Sequence, residues 1–245
     1  MDWTDDAIVL SARKHGESSA IVQLLTAERG RHAGLVRGGA GRAQRGTLQP
    51  GNLVRAHWQA RLEDHLGGYR CELVRATAAA VFEDRGRLAA LSSACAVVEA
   101  ALPEREPHAN IHADTRALLA ALEAADEGAA LAAYVRWEVS LLADLGFGLD
   151  LTRCGATGSE ENLIYVSPRT GRAVSAAAGE PYKDRLLRLP GFLVIADEAP
   201  LRSELAAGLL LSGHFLDSHV LAPHGRTLPP ARLRLLDSLN AAAPP

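Results

Sequence analysis

The first third of the chain alternates quickly between apolar and polar positions. Residues 6–13 (DAIVLSAR) and 19–26 (SAIVQLLT) are short runs rich in β-branched side chains. Residues 34–37 (GLVR) and 52–62 (NLVRAHWQARL) follow, the latter with Leu53, Ala56 and Trp58 set among polar positions, and residues 68–76 (GYRCELVRA) supply a further candidate. Gly16, Gly30, Gly34, the Gly38-Gly39 pair and Pro50-Gly51 punctuate these runs as turn residues do. Four or five short strands in about 75 residues fit a small barrel or sandwich, and a five-stranded OB-like barrel is the natural size.

Beyond residue 78 the apolar period lengthens. Leu88, Leu91, Cys95, Val98 and Leu102 recur at helical spacing until Pro103 stops the run. Residues 113–126 predict a second helix with Asp114 as its N-cap. A third carries Leu131, Tyr134, Val135, Val139 and Leu142 on one stripe and ends at Gly146. Residues 150–184 break the periodicity: turn residues crowd around one apolar run, Leu163 to Val166, which reads as a hairpin inserted between helices. Residues 200–222 and 229–239 return to helix, with Pro229-Pro230 at a helix start, and residues 241–245 are expected to fray. The pattern predicts an α+β chain: an N-terminal barrel domain at 1–78, then a helical domain at 79–245 with 150–184 as its insertion.

Charge divides at the same place. Residues 1–78 hold 11 basic and 8 acidic residues, whereas 79–245 hold 15 and 21. Such asymmetry points to different partners for the two parts. Within the basic part, residues 28–62 hold no acid after Glu28, but seven Arg and seven Gly, with His32 and His57. Glycines let backbone N–H groups approach an anion, so a loop over 38–48 that lacks regular structure and is free to move is expected, with Arg37, Arg42 and Arg45 reaching phosphates. Arg29, Arg31 and Arg55 would line the flanking strands, and Arg13 completes the candidate DNA-binding set. Trp58 and Tyr69 are either stacking platforms for bases or core residues. Arg232 and Arg234, in the helical part, are the comparison pair expected to matter less.

Other chemistries are excluded by spacing. Gly41 and Gly46 have the separation of a phosphate-binding P-loop, but Thr47 follows directly and the lysine that neutralises the phosphates is missing. A dinucleotide fingerprint fails at Gln44. His108 and His112 lie four apart but lack a third ligand, and no serine sits in a nucleophile elbow. These absences point to a binding protein, with a nucleotide-dependent enzyme or an RNA-binding module as alternatives. Cys71, Cys95 and Cys154 are too few and too isolated for a disulfide framework, which fits a reducing cytoplasm. No apolar run reaches the roughly 20 residues that cross a bilayer, and no signal peptide is apparent.

The order of motifs resembles that of the RecO family of bacterial DNA repair proteins. The resemblance rests on Arg13, Gly16-Glu17, Thr26, Gly30, the basic loop after Val36, Leu48–Gly51 (LQPG), residues 141–158 (LLADLGFGLDLTRCGATG), 165–175 (YVSPRTGRAVS) and 228–239 (LPPARLRLLDSL). It implies an OB-fold at the N-terminus, a helical domain, and a recombination mediator that is no enzyme. It implies binding of single- and double-stranded DNA, strand annealing, and work with RecR to load RecA onto DNA coated by single-strand binding protein (SSB). A monomer acting in the cytoplasm at the nucleoid, without a membrane, is the matching expectation. Arg136 and Arg153 are candidates to line a site for the acidic SSB tail. The family's insertion commonly carries two C-x-x-C pairs for zinc. Here only Cys154 remains: Thr157 takes the second position, and Ser175 and Ala178 stand near the second pair. No zinc and no other cofactor is therefore expected, and Leu163, Tyr165 and Val174 would hold the insertion by packing.

Overall fold

The first strand, β1 (Asp2–His15), runs well beyond the apolar residues that announce it. The reason is its double pairing. Asp2 to Ile8 pair with β4 (Leu53–Gln59), and Ala7 to His15 pair with β2 (Ser19–Thr26), both antiparallel. With β3 (Gly30–Val36) and β5 (Gly68–Arg75), these strands make a closed barrel in the order β1-β2-β3-β5-β4, the five-stranded barrel expected. These coordinates are a computed structural model that describes residues 1–62, 64–195 and 200–241.

Period-two alternation fills the barrel. Ala7, Val9, Val22, Leu24, Val54, Ala56, Trp58, Tyr69 and Cys71 point inward and form its core. On β4 the inward set is Val54, Ala56 and Trp58; Leu53 is only half-buried because it sits one position out of phase. Ile8 and Leu10, which alternate with inward Ala7 and Val9 on β1, are buried as well, on the strand against which the helix Arg85–Ala101 packs; a bulge lies between Val9 and Ser11. Gly34 lies against the Tyr69 ring: a Cβ there would come within 2.3 Å of it.

The chain divides into two compact units, Met1–Ala124 and Ala125–Pro245. The barrel and its connecting helix α1 (Arg42–Arg45) belong to the first. So do α2 (Thr77–Ala80), α3 (Arg85–Ala101) and α4 (Ala109–Ala124). Helix α3 is capped by Asp84, whose carboxylate accepts from the Arg87 N–H, and packs on β1. Helix α4 starts at Ala109, several residues before the expected cap, so Asp114 lies inside it. The loop over 38–48 is also more regular than its glycines imply. It contains the turn of α1, Leu48 is buried in the barrel core, and the Asn52 amide donates to the carbonyls of Gly46 and Thr47.

The second unit holds α5 (Glu127–Asp144), α6 (Ala176–Gly179), α7 (Arg202–Phe215) and α8 (Pro230–Ala241). Asp126 caps α5, and Gly146, at φ 87°, follows its end. Pro230 opens α8; of residues 241–245, expected to fray, Ala241 is the last of α8 and 242–245 lie outside the described residues. The insertion forms the expected hairpin, and a third strand from just beyond residue 184 extends it to a three-stranded sheet. Strand β6 (Leu163–Val166) pairs with β7 (Ala173–Ser175) and with β8 (Leu187–Arg188), in the order β7-β6-β8. Val166 and Ala173 are its fully buried residues, while Leu163, Tyr165 and Val174 are half-buried. The run Arg202–His224 has the length and mean hydropathy of a membrane span, although Arg202, Glu204 and Asp217 interrupt its apolar residues. In the fold, 61% of its apolar window is buried inside the protein.

Helices α5, α7 and α8 meet at a buried ion pair. Arg232 donates to both Glu138 carboxylate oxygens, at 2.6 and 2.9 Å, and to the Leu209 carbonyl at 2.6 Å. Tyr134 and Ser212 donate their hydroxyls to the same carboxylate. Burial alone would disfavour the Arg232 charge, but Glu138 beside it raises its pKa further. Arg232 is thus structural and unsuited as a surface comparison; Arg234, exposed on the same helix, serves instead. Removing one member of such a pair leaves an uncompensated buried charge. Arg232→Ala should therefore lower stability by about 3–5 kcal/mol, and the Arg232→Met, Glu138→Met double variant should lose much less than twice that, in urea denaturation followed by circular dichroism.

Candidate nucleic-acid interface

The seven candidate arginines fall into three groups. Arg31 is the first: its side chain is buried, and it donates to the Leu102 carbonyl at 2.9 Å, to Gln23 and to Glu104. It ties β3 to the chain leaving α3 and offers nothing to solvent. The second group, Arg13 and Arg55, is exposed but paired, with Glu99 at 2.7 Å and Asp6 at 2.8 Å. Exposed pairs of this kind are weak enough for a phosphate to compete with.

The third group is Arg29, Arg37, Arg42 and Arg45. All four are exposed, and among the described residues none forms an ion pair. Three recesses of the first unit take three of them. Arg45 lines one of about 250 Å³ with Lys14, Gly39 and Pro50. Arg37 lines one of about 390 Å³ with His57, Gln59 and Arg70. Arg29 lines one of about 360 Å³ with Trp3, His32, Trp58 and Arg105. Arg42 opens α1, whose last residue is Arg45, and Arg29 and Arg37 flank β3. Lys14, Arg70 and Arg105 were missed from the sequence. Arg70 alternates outward along β5, between buried Tyr69 and Cys71, which strand periodicity could have shown; Lys14 lies in the wholly exposed end of β1 and Arg105 in an irregular segment, and no periodicity marks either.

The aromatic alternatives resolve toward the core. Trp58 is 1% and Tyr69 4% exposed. The Trp58 indole donates to the Leu66 carbonyl at 3.0 Å, and the Tyr69 hydroxyl is hydrogen-bonded to His32 Nδ1 at 2.8 Å. Trp3 completes the cluster, stacked on Trp58 with ring centroids 5.8 Å apart, and it is only partly buried.

In the second unit, Arg136 donates to the Phe192 carbonyl and lies over its ring at 5.4 Å, so its guanidinium is engaged internally, while Arg153 is exposed. Where the resemblance implies zinc ligands in relatives, burial would push the Cys154 thiol up, but hydrogen bonds from Thr157 and Ser175 pull it down to about 6. The Ser175 N–H reaches its sulfur at 3.3 Å. Among the described residues no three His, Cys, Asp or Glu side chains are grouped as metal ligands.

Burial, and after it the charge of Arg105, push the His32 imidazole down to about 4. Since this lies below the ordinary 6.5, the unfolded chain takes up the proton first as pH falls. The contribution of neutral His32 to stability is complete above pH 6.5 and is lost as pH falls from there toward 4. His32→Gln, which keeps a hydrogen-bonding group beside Tyr69, should flatten the pH dependence in that window by at most about 1.4 kcal/mol per pH unit, as measured by urea unfolding across pH.

Comparison with known proteins agrees with this architecture. The family model described as Recombination protein O N terminal matches residues 1–77, and that described as Recombination protein O C terminal matches residues 82–228. A protein of Rhodospirillum centenum named DNA repair protein RecO is 56% identical over 244 residues, covering 99% of this chain and 96% of its own. Proteins of the same name from Rhodospirillum rubrum and Phenylobacterium zucineum are each 53% identical; they cover 98% and 99% of this chain and 97% and 99% of their own. With both family models matched in order and these relatives spanning nearly its whole length, the chain belongs to the RecO family, whose role is in DNA repair and recombination.

Proposed function

We propose that this chain is a non-enzymatic recombination mediator that binds single- and double-stranded DNA through its barrel and anneals complementary strands. In this reading it works with RecR to load RecA onto SSB-coated DNA, as a monomer in the cytoplasm at the nucleoid. The barrel domain, residues 1–78, tracks DNA, and the helical domain, 79–245 with its insertion, binds proteins. The observation that carries the DNA contact is the set of outward, unpaired cations Arg37, Arg42 and Arg45 on and beside α1. Lys14 and Arg70 share recesses with two of them. Arg31 is left out of the track because its donors are spent inside the fold.

These contacts explain binding without base preference. Guanidiniums on phosphates release counterions and fix register, but they read no sequence. Neutralised backbones let two strands approach, which is what annealing requires. The acidic balance of the rest of the chain keeps it from competing for the same phosphates.

The test is a salt titration of single-strand binding by fluorescence anisotropy. With about four to six phosphates contacted, log K should fall against log salt with a slope of roughly −3 to −4. Replacing Arg37, Arg42 and Arg45 together by Ala should weaken binding alike for all sequences and flatten the slope by about 2, whereas Arg234→Ala should change neither. A triple variant that keeps the wild-type slope and affinity places the DNA site elsewhere.

A further inference from the structure

The recess lined by Arg29 differs from the other two in its pair of indoles, Trp3 and Trp58. Four rings converge behind it. Trp3 lies 5.2 Å from His32, 5.8 Å from Trp58 and 5.7 Å from Tyr69, centroid to centroid. His32, Trp58 and Tyr69 are almost wholly buried; Trp3, His32 and Trp58 line the recess, and of these Trp3 is the one that is partly open. Asp2, Glu28, Arg29 and Arg105 complete the rim.

We propose that this recess receives one unstacked nucleobase of a bound single strand, with Trp3 as the stacking platform and Arg29 and Arg105 as contacts to the flanking phosphates. The proposal rests on the DNA-binding reading above and adds a base subsite to it. Three observations carry it. The first is chemistry. A base presents a π face, amino donors and ring acceptors, and its sugar brings phosphates; the recess offers an indole, two carboxylates and two guanidiniums. The second is size. About 360 Å³ lies at the small end of ligand sites, roughly 300–1,000 Å³, enough for one nucleotide and too little for a duplex.

The third is rigidity. Trp3 is held as a strand residue opposite Trp58, and the Ala60 N–H closes the same edge by donating to the Met1 carbonyl at 3.0 Å. Arg105 is held in a costly conformation, φ 62° for a residue with a side chain. Its N–H donates to the Arg31 carbonyl at 2.7 Å, and its guanidinium donates to the His65 carbonyl at 2.9 Å. A platform and a cation that are ordered before binding lose little freedom on binding. Buried Arg31 acquires a role here: it anchors the segment that carries Arg105.

The experiment compares a homopyrimidine strand with an abasic strand of the same length and phosphate number, each binding the full chain in fluorescence anisotropy. Stacking of one base should favour the base-bearing strand by about tenfold. Trp3→Phe should keep most of that preference, and folded Trp3→Ala should bind both strands alike with the salt slope unchanged. Equal wild-type affinity for the two strands overturns the base subsite and leaves the phosphate track standing. Failure to bind either overturns both. A preference that survives in Trp3→Ala also overturns the assignment. Should Trp3→Ala not fold, an iododeoxyuridine-bearing strand crosslinked by light to the unmodified protein decides the matter: an adduct on Trp3 supports the subsite, and adducts confined to other segments overturn it.

Discussion

The first unit depends on one strand belonging to two neighbours. Ala7 and Ile8 of β1 pair with β4 on one side and with β2 on the other, and without that overlap the sheet would stay open. Closure removes the edges that an open sheet exposes and fixes which residues face inward. It also sets Trp3 opposite Trp58, so the same pairing that completes the core brings a partly open indole to the barrel end. The cations follow from the strands. Arg70 points out between inward Tyr69 and Cys71, Arg37 follows inward Val36, and Lys14, paired with Ala20, stands at the exposed end of β1. Barrel, phosphate contacts and aromatic recess are thus consequences of one register.

In the second unit a polar interaction has the corresponding place. Glu138 accepts from Arg232, Tyr134 and Ser212, which come from the three helices α5, α7 and α8. Its buried carboxylate is tolerable only because every oxygen is matched. Hydrophobic stripes allow helices to slide by a turn at modest cost, whereas a four-membered hydrogen-bonded centre does not. The insertion uses smaller means: strand pairing, a buried Val166 and Ala173, and a Cys154 sulfur that accepts from the chain.

Much of this was legible in the sequence. The five strands follow from β-branched runs between turn residues, and the helices from their apolar period. What was not legible involved side chains whose role depends on distant partners. Arg31 and Arg232 look like any surface arginine until Leu102 and Glu138 arrive, 71 and 94 residues away. Trp3 stands alone among acids in MDWTDD, and only its period-two relation to Ala7 and Val9 hints that it faces the core. The α4 boundary was misplaced because Asp114 is a good capping residue that tertiary packing carried into the helix interior.

The central claim is that nucleic acid is held by the barrel unit through surfaces its strand register creates. Hydrogen exchange of the full chain, with and without a single-stranded oligonucleotide, tests this most directly. The account predicts slowed exchange at residues 28–32, 37–48 and 66–70, with the amides of α5, α7 and α8 unchanged. Protection confined to the second unit, with these barrel segments unaffected, would contradict it.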